Sequence, residues 1–119
     1  MKSFLLSLSA LILLCLVVFL NTLFVSKVSY DMQEMVNKIK SSPTEESIKE
    51  LEDTWNNKRT LISISVPHKE TDDLDKDILI LRSKFENGED NGMNEIISLI
   101  SYAIDELKVH GTISFDNIF

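Results

Sequence analysis

The sequence predicts an all-α fold: an N-terminal transmembrane helix that continues into a small antiparallel helical bundle. Three observations predict it. Residues Phe4–Ser26 form an uncharged, largely apolar run of 23 residues between Lys2 and Lys27. After that run, apolar residues recur at helical spacing in four successive stretches. The few breakers, notably Pro43, Pro67, Gly88 and Gly92, fall between those stretches.

The first element is the span itself. Hydrocarbon offers no hydrogen-bond partners, so a crossing segment must satisfy its own backbone, and a helix does so. At about 1.5 Å per residue the run reaches about 34 Å, enough for a hydrocarbon layer of about 30 Å. Ser7, Ser9, Asn21 and Thr22 are its polar members, and hydroxyls can bond back to helix carbonyls. A cleavable signal peptide would have a shorter apolar core and a small-x-small cleavage site. Neither is present, and Leu13-Leu14 before Cys15 lack the small residues of a lipoprotein signal. Residues 1–27 are therefore expected to be a retained anchor that meets membrane lipid through residues 4–26. The short N-terminal flank places the N-terminus inside and the following domain outside the cell membrane.

Residues 27–40 continue at helical spacing, with Val28, Met32, Met35, Val36 and Ile39 on one stripe. No helix breaker intervenes, so the span runs on as a stalk or bends just past Lys27. The stripe suits either a partner or the protein's own later helices, and packing on the later helices is the reading taken here. Ser42, ahead of Pro43, is the expected N-cap of a second helix, with Glu45 and Glu46 at its positive end. Ile48, Leu51, Trp55 and Ile62 form its stripe. The alternation from Leu61 to Val66 resembles a strand, yet no partner strand exists, so helix is expected up to a break near Pro67.

A third helix over residues 68–86 buries Leu74, Ile78, Leu81 and Phe85. Its early acids and late Arg82 and Lys84 complement the helix dipole. Gly88 suits a left-handed C-cap. A fourth helix, about residues 90–109, carries the broad stripe Met93, Ile96, Ile97, Ile100, Ala103, Ile104 and Leu107. Gly111 is expected to end it, leaving residues 112–119 as extended chain laid over the bundle, with Ile118 and Phe119 filling a groove. The expected core is Trp55, Leu74, Ile78, Leu81, Ile97, Ile100 and Ile104.

Residues 28–119 make one acidic helical domain, too short for two cores. They hold all 19 acidic residues and all but two of the 12 basic ones, a net charge of −9. Nucleic acid is excluded as a partner, because phosphate binding needs clustered cations. Adsorption to an anionic membrane surface is disfavoured for the same reason. The single cysteine, Cys15, lies in the span, so no disulfide framework and no cysteine zinc site exist.

One constellation bears on chemistry. His68, Glu70 and Asp72 lie in the first turns of the third helix, where His68 and Asp72 share a face at i,i+4. Histidine with carboxylates is a donor set for divalent first-row ions. Acids at a helix start are also routine for dipole reasons, and a histidine there commonly packs on an aromatic such as Trp55. His110 lies 42 residues beyond His68, and joins this cluster only if the bundle brings two helix ends together. Asp72–Asp77 lacks the glycine of a calcium loop. No phosphate loop, HExxH or GxSxG motif occurs, so no catalytic residue and no cofactor is expected.

Trp55, the His68-x-Glu70-x-Asp72 stretch and the terminal Asp116–Phe119 resemble a family of short, membrane-anchored helical proteins of unknown function from Gram-positive spore-forming bacteria. The resemblance implies an all-helical extracytoplasmic domain and no established activity.

These readings lead to one expectation and one alternative. The expectation is a non-enzymatic single-pass protein whose helical domain binds a protein partner, or another copy of itself, at the cell envelope. The alternative is an extracytoplasmic metal- or ligand-binding module built on His68, Glu70 and Asp72.

Overall fold

A computed structural model describes residues 1–118, with side chains as far as His110. Four helices follow one another: α1 (Lys2–Ser41), α2 (Glu45–Ile62), α3 (His68–Glu86) and α4 (Met93–Ile118). No strand occurs among the described residues. The span and the stalk are one uninterrupted helix of 40 residues, because nothing between Lys2 and Ser41 removes a backbone donor or requires a left-handed residue. α1 does not bend away past Lys27.

The two halves of α1 have different surroundings. Its most apolar stretch is fully uncovered by the rest of the chain. From Val25 onward the side chains at helical spacing disappear into the interior: Val25, Val28, Met32, Val36 and Ile39 are all buried. The lower half of α1 is thus one wall of the bundle. Each helix packs on its neighbours in sequence, and α4 closes the ring by lying along α1. The result is an up-and-down four-helix bundle, 68 Å long because the uncovered half of α1 projects from it.

All seven expected core residues are buried, and Trp55, Leu74, Leu81, Ile100 and Ile104 are 1% exposed or less. Phe85 packs at the edge of the core rather than inside it. Polar pairs at the rim fix the register. The Gln33 amide donates to Ser101 O at 2.8 Å and to Asp105 Oδ1 at 3.0 Å, and Ser101 Oγ returns a bond to Gln33 Oε1 at 2.9 Å.

The N-cap of α2 is Thr44, not Ser42. Thr44 Oγ1 accepts from Ser47 N at 3.1 Å, and Ser47 Oγ accepts from Thr44 N at 3.0 Å. This reciprocal box satisfies two donors that Ser42 would reach only with Pro43 inside the helix. Pro43 therefore stands outside the first turn. α3 ends as expected: Gly88 adopts φ +67°, Gly88 N donates to Phe85 O and Glu89 N donates to Lys84 O, a Schellman closure.

Gly111 does not end α4, which runs on to Ile118, so residues 112–118 are not an extended strap. A glycine inside a helix costs only about 1 kcal/mol relative to alanine, and no proline follows it. The groove-filling role given to Ile118 and Phe119 rests on side chains that lie outside those described.

Candidate functional site

The bundle brings the start of α3 against the lower part of α4, and three potential ligands meet there. Glu70 is in the first turn of α3. Glu106 and His110 are one turn apart on α4, so they share a face. His110 Nε2 lies 3.1 Å from Glu106 Oε2 and 3.3 Å from Glu70 Oε1. One ligand atom from each of the three residues falls within 4.8 Å of the others, and no other such group occurs among the described residues.

The site is sheltered. The Glu70 side chain is 16% exposed. Its Oε2 is buried without a hydrogen-bond partner among the described residues. A groove of about 350 Å³ between α3 and α4 opens beside Glu70 and Glu106, lined further by Lys69, Asp73, Lys76, Asp77, Leu99 and Tyr102. In this groove burial, and then the nearby Asp73 carboxylate, raise the pKa of Asp77 above its ordinary 3.8, against a smaller opposing effect of Lys76. The Asp77 carboxyl therefore holds its proton more readily than it would in water.

The residues singled out by spacing along α3 part company. Glu70 joins Glu106 and His110. Asp72 turns to α2, where Arg59 Nη2 donates to its Oδ1 at 3.1 Å. The His68 side chain is exposed. Helical spacing reports residues on one helix, whereas this cluster depends on where α4 crosses α3. The one local signal was Glu106 with His110 at i,i+4, a pair unmarked by any motif.

A second polar centre joins α2 to α3. Asp75 accepts from Trp55 Nε1 at 2.6 Å and from Arg59 Nε at 2.7 Å and 2.9 Å through its two oxygens. Arg82 extends from α3 to α2, donating to Glu45 at 2.6 Å and forming a two-pronged contact with Glu52. Each of these carboxylates is paired with an arginine, so this centre fastens α2 to α3.

The third feature is the uncovered apolar surface of α1. Phe4, Leu5, Leu6, Leu11, Ile12 and Leu13 are each more than half exposed. A continuous exposed apolar surface of this size marks a place where a membrane or another protein is met. It is long and apolar enough to cross a membrane. Two more exposed apolar side chains, Leu61 in the last turn of α2 and Ile64 in the turn that follows, lie between α2 and α3. α2 runs back along α1, and near its end Lys58 Nζ lies 5.8 Å over the Phe24 ring, so this turn faces the same end of the bundle as the uncovered half of α1.

A family model described as a domain of unknown function matches residues 20–118. No curated protein and no solved structure matches the chain.

Proposed function

The chain belongs to the DUF4363 family, a domain of unknown function, and from that premise we propose that it is a non-enzymatic single-pass membrane protein. α1 anchors it, with the N-terminus inside, and its acidic bundle binds a protein partner at the outer face of the cell membrane. We further propose that the family is one of short envelope proteins from Gram-positive spore formers. The observation that carries the reading is the continuity of α1. One helix is uncovered and apolar through its first half and a wall of the bundle through its second. A helix without a joint transmits the position of its anchor to whatever packs on it, so the bundle stands directly on the bilayer.

The charge supports a proteinaceous partner. With a net −9 over residues 28–119, the bundle is repelled by anionic lipid headgroups and attracts a basic protein surface. Leu79, Leu99 and Tyr102 add exposed apolar area on α3 and α4, which gives such a partner something to bury. Photo-crosslinking groups at Leu99 and Tyr102, activated in native membranes, test this. A discrete adduct from those positions is expected, and its formation should weaken as ionic strength rises. Recovery of the monomer alone through growth and sporulation would sink the reading.

A further inference from the structure

We propose that Glu70, Glu106 and His110 form a binding site for one divalent first-row metal ion, zinc being the probe of choice, clamping α3 to α4. The inference stands on the geometry of the cluster and does not depend on the partner-binding reading. Zinc binds imidazole nitrogen and carboxylate oxygen at about 2.0–2.2 Å. Two ligands on one such ion are then about 2.8–3.1 Å apart at a right angle and about 3.3–3.6 Å apart at a tetrahedral angle. The contacts of His110 Nε2, 3.1 Å to Glu106 and 3.3 Å to Glu70, fall within that span. Calcium fits poorly, because it takes six to eight oxygens and no imidazole.

Hydrogen bonding among the described residues leaves Glu70 without a partner for one of its oxygens. His110 Nε2 carries at most one proton, and two carboxylate oxygens face it. Glu70 Oε2 is buried with no partner among the described residues, and a buried carboxylate oxygen left so is costly. Two carboxylates facing one imidazole leave a net charge of at least −1 even when the imidazole is protonated. A divalent cation at their centre would cancel that charge and take Nε2 as its ligand. Any Nε2 proton would then be released to solvent. Water entering from the neighbouring groove would complete the coordination.

The test uses the full-length protein in lipid nanodiscs, titrated with zinc against a chelating fluorescent indicator. One zinc per chain is expected. Glu106→Gln and His110→Ala should each weaken binding by at least the roughly 10–100-fold that losing an outer-shell partner costs. His68→Ala and Asp72→Asn should leave it unchanged. Glu106→Gln preserves side-chain size, and far-ultraviolet circular dichroism establishes that the variant remains folded. Cobalt gives a second readout: its visible absorption should appear on addition to the wild type, vanish on adding zinc, and be absent in Glu106→Gln. Absence of stoichiometric zinc binding would overturn the proposal. So would binding that survives both ligand substitutions, or binding lost with His68→Ala.

Discussion

Arg82 shows how much of this bundle depends on single polar side chains. It is 13% exposed, and it reaches Glu45 and Glu52 on α2 from near the end of α3. Guanidinium is planar and presents its donors as a fork, which is why both carboxylates are served at once. Arg82→Ala should cost about 1.5–3 kcal/mol in chemical denaturation, the range for hydrogen bonds to charged groups. Arg82→Lys should recover less than half of that loss, since an ammonium cannot reproduce the fork. Asp77 acts in the opposite sense. Its pKa is raised in the folded protein, so the folded state holds that proton more tightly than the unfolded chain. Its unfavourable contribution is absent below the ordinary value near 3.8 and complete once pH exceeds the raised folded value. Asp77→Asn should therefore raise the melting temperature at pH 7, and the gain should fade as the pH falls through the raised folded value and be gone below 3.8. A gain that persists in acid would show that the charge is not the cause.

At the scale of the helices, the apolar stripes were the legible part of the sequence. Ile48, Leu51 and Trp55, or Ile96, Ile100 and Ile104, can reach a common core only from one face of a helix, and all are buried. Ile100→Ala should cost about 2–5 kcal/mol, because the side chain is removed from a closed interior. A loss within about 0.5 kcal/mol, as for an ordinary surface change, would place that face outside the core. Helix ends were less legible, since several residues compete to form them. Ser42 and Thr44 are both good caps, and the choice fell to Thr44 because Ser47 could reciprocate. Thr44→Ala should cost about 1 kcal/mol, whereas Ser42→Ala should be silent in the same denaturation experiment. Gly111 misled for a related reason: glycine favours a helix end but does not compel one. The cluster of Glu70, Glu106 and His110 was legible only in part. Glu70 stood out on its own helix, but its partners come from a helix that meets it only through tertiary packing.

For the whole molecule, the decisive feature is that the uncovered apolar stretch and the bundle wall are a single helix. The buried stripe begins at Val25, immediately where the apolar run ends, so there is no linker in which the bundle could swing. Leu61, in the last turn of α2, and Ile64, in the α2–α3 turn, are exposed at the same end of the bundle as the uncovered half of α1, and under the proposed anchoring they meet the lipid interface. A tryptophan at Ile64 should be quenched by lipids brominated near the headgroups, and one at Glu89, in the opposite turn, should not. Zinc bound at Glu70, Glu106 and His110 would stiffen this end of the bundle, where α3 begins.

A nitroxide scan along α1 of the full-length protein in nanodiscs, recording collisions with oxygen and with a water-soluble nickel complex, examines this arrangement in one experiment. Positions 5–20 should favour oxygen on every face. From residue 25 to residue 39 both relaxants should be excluded at Val28, Met32, Val36 and Ile39, with the helical period unbroken through Lys27. Nickel accessibility in the first half, or a loss of period near Lys27, would contradict a single rod that holds the bundle on the membrane.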